Sequence, residues 1–154
     1  MEPGRRVRIN QLGLSTGIGL LLARIGSRGE RVQLPTGELL VGGWLPKLPP
    51  AYAFTIGDVV LTRGTAAEML AAPQLLGHER HHSVQWACCG GSPLVYLPLY
   101  WFACGWSWLR TGDRSSRNPF EVRAGLQAGN YLQLPVRRGW PDAGGLTPER
   151  PSVT

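Results

Sequence analysis

The sequence predicts an α+β fold, a small and mostly antiparallel sheet followed by helices that carry the chemistry. Three observations predict it. Before residue 63, short apolar runs alternate with Gly and Pro, as in strands joined by tight turns. From Thr65 the composition becomes helix-forming, and Pro73 suits the first turn of a helix. The 21 Gly and 13 Pro among 154 residues cut the chain into short elements, which excludes long bundles and coiled coils.

Residues 1–12 are basic and without period, and read as an N-terminal tail or edge strand. Residues 13–132 read as one domain, with strands over 13–63 and helices over 65–132. A hairpin is expected where 31–34 and 38–41 flank Pro35-Thr36-Gly37. Pro46, Pro49 and Pro50 force a loop. Residues 54–62 form the next expected strand, with Gly57-Asp58 as a bulge. A helix then runs from Pro73 to about Cys88, stopped by Gly90, Gly91 and Pro93.

Residues 86–109 carry no charge. The stretch 94–109 spans about 24 Å at ~1.5 Å per residue, short of the ~30 Å hydrocarbon core of a bilayer. Three readings stand for it: a buried helix, a membrane-interface or re-entrant element, and a full span. The second is favoured by Tyr96, Tyr100, Trp101, Trp106, Trp108 and the basic flank from Arg110. Asn118-Pro119 opens a further helix to about Ala128. Residues 133–154 lack apolar periodicity and read as a disordered tail.

The formal net charge is +6, and all but Lys47 of the 16 basic residues are Arg. They are scattered and frame no DNA or RNA recognition motif, so no specific nucleic-acid partner is expected. Three cysteines without CxxC spacing exclude a disulfide framework and a zinc ribbon. No secretory signal opens the sequence, so a reduced, cytoplasmic protein is expected, with membrane association through 94–109 as the open alternative.

All three histidines fall in Gly77-His78-Glu79-Arg80-His81-His82, which satisfies H-E-x-x-H. On a helix, His78 and His82 lie one turn apart and project from one face, where they can share a zinc ion. Glu79 lies beside that face, close enough to take a proton from a zinc-activated water without ligating the metal. His81 reads as a neighbour. A catalytic zinc needs a third protein ligand, which here must be a carboxylate or thiolate. Glu121 stands out, 39 residues after His82 and early on the next helix. Glu68 and Asp113 are weaker candidates. Cys88 faces away from the histidine pair on a continuous helix.

The pattern H-E-x-x-H-x-x-Q at 78–85, a Pro/Tyr-containing apolar segment, then N-P-x-E-x-x-A at 118–124 resembles the small bacterial minigluzincin-type zinc metallopeptidases over about residues 53–131. The resemblance implies a minimal zincin-like arrangement: a strand whose edge pairs with an extended peptide, the H-E-x-x-H helix, an apolar helix and a third-ligand helix. His78, His82 and Glu121 would bind Zn2+, with Glu79 as general base. Gln85 and Asn118 would stand behind the ligands, and Tyr131, Tyr100 or Arg123 would stabilise an oxyanion. Gluzincins often place an Asp four residues after the third ligand, where this chain has Gly125. The expected function is a zinc-dependent, metallopeptidase-like hydrolase acting on a peptide or protein. The alternatives are a catalytically inactive zinc-binding or membrane-associated interaction domain, and a metal-free interaction protein.

Overall fold

In a computed structural model that describes residues 1–137, the chain opens with two helices, α1 (Pro3–Leu12) and α2 (Ser15–Gly26). Residues 1–12 form neither the expected tail nor an edge strand, and the stretch expected to hold strands over 13–63 begins instead with a helix to Gly26. The reason lies in which positions are buried. On α1 they are Arg6 and Asn10, one turn apart, so the helical period is written in polar residues. On α2 the inward face is Ser15, Thr16, Gly19, Ala23 and Gly26, while larger apolar side chains point outward. A Cβ on Gly19 would come within 2.6 Å of the Ile56 carbonyl oxygen, so α2 packs directly on the sheet backbone.

Four short strands follow: β1 (Arg31–Gln33), β2 (Leu39–Val41), β3 (Ala53–Ile56) and β4 (Val59–Thr62), in spatial order β1-β2-β4-β3. The β1–β2 and β3–β4 pairs are antiparallel hairpins, and β2 lies parallel to β4, which makes the sheet mixed. The first hairpin turns at 35–37 as expected. Gly57-Asp58 forms the turn of the second hairpin and not a bulge in one strand, which leaves β3 at the sheet edge. Alternation along β2 and β4 divides the core. Leu40 and Val60 join Ala66 and Met69 on one face, while Val41, Val59 and Leu61 meet Ala23 and Trp44 on the other.

The second half is helical: α3 (Ala66–Leu70), α4 (Pro73–Cys88), α5 (Pro93–Thr111) and α6 (Pro119–Ala124). Thr65 and Glu68 close α3 with a capping box. Helix α5 runs through Pro98 and buries only a narrow stripe, Tyr96, Ala103, Cys104 and Ser107. It is therefore not the buried helix of the first reading. No helix among the described residues is long and apolar enough to cross a membrane. Helix α6 ends at Ala124, four residues earlier than expected, because Gly125 takes φ +95°. Residues 133–137 are not loose: Leu134 N–H donates to Ser116 Oγ at 3.2 Å, and Arg137 N–H to the Arg110 carbonyl at 2.8 Å. The remainder of the expected tail lies outside the described residues.

A buried ion network ties α1 to the sheet. Arg6 Nε donates to Asp58 Oδ1 at 2.7 Å, Nη1 pairs with Glu38 Oε1, and Nη2 donates to the Thr36 carbonyl at 2.7 Å. Arg80 on α4 reaches the same Glu38 Oε1 at 3.4 Å. Burial opposes the charge on Glu38, yet the Thr36 hydroxyl and the Arg6 guanidinium hold its carboxyl below the usual range. Arg6→Ala leaves buried Asp58 without its counter-charge and buried Glu38 with only the longer contact to Arg80. The expected loss is about 3–5 kcal/mol of unfolding free energy, read by urea denaturation, with Arg6→Lys recovering only part of it.

Candidate metal centre

Helix α4 supplies His78, Glu79 and His82, all buried, and α6 supplies Glu121, also buried. The two histidine Nε2 atoms stand 3.1 Å apart, and Glu121 Oε2 lies 3.2 Å from that of His78 and 3.5 Å from that of His82. A triangle of those sides has a point ~1.9 Å from each corner, so an ion just off its plane meets all three at the ~2.0–2.2 Å of zinc–nitrogen and zinc–oxygen bonds. Sequence reasoning brought these three residues together, and the structure does the same.

The protonation pattern suits a cation as well as the distances do. His78 Nδ1 lies 3.0 Å from the Gly125 carbonyl oxygen, and His82 Nδ1 lies 2.8 Å from Gln85 Oε1. Each Nδ1 faces an acceptor and so carries the hydrogen, which turns the Nε2 lone pairs toward Glu121. Glu121 Oε2 is buried and has no hydrogen-bond partner, while Oε1 accepts from the Tyr100 hydroxyl at 2.6 Å. Three acceptors thus converge on a space that calls for a positive charge. Burial works against ionised Glu121, but both imidazoles and Tyr100 outweigh it and drive the carboxyl far below its ordinary pKa. Burial likewise works against protonated His82, and the Glu121 carboxylate reverses that and raises the imidazole above its ordinary value.

Further hydrogen bonds orient these three side chains. Gln85 accepts from His82 and donates its Nε2–H to the Phe120 carbonyl at 2.8 Å, joining α4 to α6. Asn118 caps α6, its Oδ1 accepting from Phe120 N–H at 2.9 Å, and its Nδ2 reaches Cys104 Sγ on α5 at 3.3 Å. It therefore positions Glu121 and does not touch a histidine. The Gly125 carbonyl takes the orienting role for which the resemblance supplied an Asp. Gly129 closes over His78: a Cβ there would lie 2.6 Å from the ring's Cε1.

Glu79 sits beside this cluster with Oε2 accepting from the Thr55 hydroxyl at 2.7 Å. Its burial raises the carboxyl pKa, against the opposing pull of His82, Thr55 and His78. Glu79, His82, Glu121 and Tyr131 reach one cavity of about 370 Å³ whose other walls are mostly apolar, among them Phe54, Trp86, Tyr96, Leu97 and Trp101. Tyr131 packs its ring centroid 5.9 Å from that of His78. The other oxyanion candidates are placed differently, since Tyr100 is committed to Glu121 and Arg123 is exposed. Cys88 and His81 are exposed, Glu68 caps α3, and Asp113 accepts the Ser115 and Ser116 amides, so none joins the cluster.

Sequence reasoning missed Thr55 as the partner of Glu79, Tyr100 as the holder of Glu121, and the closures made by Gly125 and Gly129. No local motif marks them, because each acts across 20 or more residues or through the backbone. The edge of β3 also differs from expectation, because the Thr55 carbonyl already accepts the Trp86 indole N–H at 3.0 Å. Comparison with protein-family models, with curated proteins and with solved structures finds no match.

Titration of the metal-free protein with Zn2+ should give one site, lost in His82→Ala and in Glu121→Gln. Gln85→Leu should keep the fold and weaken binding by ~10–100-fold. Because Glu121 favours a proton on His82, Zn2+ must displace it, and affinity should rise with pH through and above the ordinary imidazole range. A flat calorimetric profile across about pH 6–9 would contradict the assigned protonation.

Proposed function

We propose that the protein is a zinc-dependent hydrolase of peptide amide bonds, in a minimal zincin-like arrangement, with Glu79 as general base. One observation carries the reading: a buried carboxylate oxygen without a partner faces two imidazole lone pairs, next to a cavity that also holds a second buried carboxylate. His78, His82 and Glu121 would hold the ion. When bound, Zn2+ supplies Lewis acidity, polarising a carbonyl and easing the deprotonation of water.

The remaining chemistry belongs to the chain. Glu79 does not ligate, since Thr55 holds its Oε2 from the sheet side. Burial makes it a stronger base than an exposed carboxylate, able to keep a proton long enough to return it to a leaving amine. The Tyr131 ring lies on the wall of the same cavity, so its hydroxyl is the candidate donor toward a developing oxyanion. Substrate selection falls to the apolar walls, because the Trp86 indole occupies a β3 carbonyl that an extended peptide would need.

Glu79→Gln should retain Zn2+ with unchanged affinity while hydrolysis of quenched-fluorescent peptides falls by about 10²–10⁴-fold. Peptides with an aromatic or branched aliphatic residue beside the cleaved bond should exceed their Asp or Lys counterparts in kcat/KM by at least about tenfold. Zn2+-loaded wild type that cleaves no member of such a library would overturn the hydrolase reading.

A further inference from the structure

We infer that α2 and α5 together form a surface that seats the protein on an anionic lipid bilayer, with the cavity mouth beside it. The starting observation is the amount of apolar surface left uncovered. On α2, Leu14, Ile18, Leu21 and Ile25 follow one helical stripe and all are exposed. On α5, Leu94, Leu97, Leu99, Trp101, Phe102 and Trp108 are exposed, Leu94 at 85% and Phe102 at 75%. Exposed patches of this extent mark an interaction surface in a folded domain.

The two helices share a vertex. Ser15 N–H, at the start of α2, donates to the Gly91 carbonyl two residues before α5, at 3.1 Å. This brings Leu12 and Leu14 to the end of α5 where Leu94 and Val95 are exposed. Farther along, Leu22 of α2 and Leu97 and Trp101 of α5 line the same cavity. The apolar faces therefore diverge from one corner and border the opening that leads to Glu79 and Glu121.

Charge decides the occupant. Both helices are aliphatic at the vertex and basic toward their C-terminal ends, with Arg24 and Arg28 on or after α2 and Arg110 and Arg114 on or after α5. Between the two zones of α5 stand Trp106 and Trp108, with the Arg110 guanidinium 5.6 Å from the ring centroid of Trp106 and that of Arg137 6.0 Å from Trp108. Exposed aliphatic and tryptophan side chains with arginines at the C-terminal ends of both helices offer a bilayer groups suited to its acyl chains, headgroup boundary and phosphates. A second copy would bring like charge against like, since each chain carries a formal +6.

The test uses the full chain and extruded vesicles of phosphatidylcholine with and without about 30% phosphatidylglycerol. Co-sedimentation should be at least about tenfold tighter on the anionic vesicles and should weaken as salt rises. Brominated acyl chains should quench tryptophan emission. Leu94→Ser/Phe102→Ser on α5 and Leu21→Ser/Ile25→Ser on α2 should each lower vesicle affinity by at least about tenfold while leaving Zn2+ affinity and Tm unchanged. The inference fails if wild type ignores anionic vesicles and shows no quenching. It also fails if sedimentation velocity finds a stable dimer that Leu94→Ser/Phe102→Ser dissociates, which would assign the face to a second copy.

Discussion

The convergence of three lone pairs between α4 and α6 is the constraint on which the rest of this structure depends. Two imidazoles and a carboxylate cannot face one another inside a protein unless a proton or a cation stands among them. Every neighbour reinforces that demand. Gly125 and Gln85 fix the Nδ1 hydrogens, Tyr100 takes one Glu121 oxygen and leaves the other open, and Asn118 sets the turn from which Glu121 projects. A cluster that served only as an ion pair would gain from one proton and need none of this orientation.

Such a cluster needs a rigid frame, and the frame is also polar inside. Helix α4 is gripped from three directions: by Asn10 of α1, which donates to the Ser83 carbonyl at 3.0 Å, by Thr55 of β3, and by Gln85 bridging to α6. The Arg6 network fixes α1 against the sheet and touches α4 through Arg80, so the N-terminal helix braces the site helix without reaching the site. The segment read in the sequence as a tail or edge strand thus braces the helix that carries the site.

What was legible followed from local spacing. His78, Glu79 and His82 announce themselves because i and i+4 share a helix face, and Glu121 because Asn118-Pro119 is a helix start that can be read without a structure. The first hairpin was visible in its Pro35-Thr36-Gly37 turn, whereas Gly57-Asp58 read as a bulge in one strand because a two-residue turn between apolar runs has the same local composition. The parallel junction of β2 with β4 has no local signature. Helices α1 and α2 were illegible for a physical reason: their buried positions are Arg, Asn, Ser, Gly and Ala, so the expected apolar stripe is missing on α1 and faces outward on α2. The partners of the site were hidden because Tyr100 and Thr55 act across the fold and Gly125 through its carbonyl, where side-chain identity says nothing.

The outward stripe of α2 and the exposed girth of α5 bear on how the cavity is filled. An apolar cavity in a water-facing wall draws its occupant from solution and must outcompete the hydration of whatever enters. Were the two apolar helices seated on a bilayer as inferred above, the same cavity would stand at the edge of a phase in which apolar segments are already concentrated, and partition would do part of the selection before any wall residue is touched. Glu79 and Glu121 are buried beside these apolar walls with Thr55, Tyr100 and the imidazoles satisfying them from within. The polar centre and the apolar rim are therefore compatible: the hydrogen bonds that orient His78, His82 and Glu121 also let two buried acids persist beside a cavity lined with tryptophan and leucine.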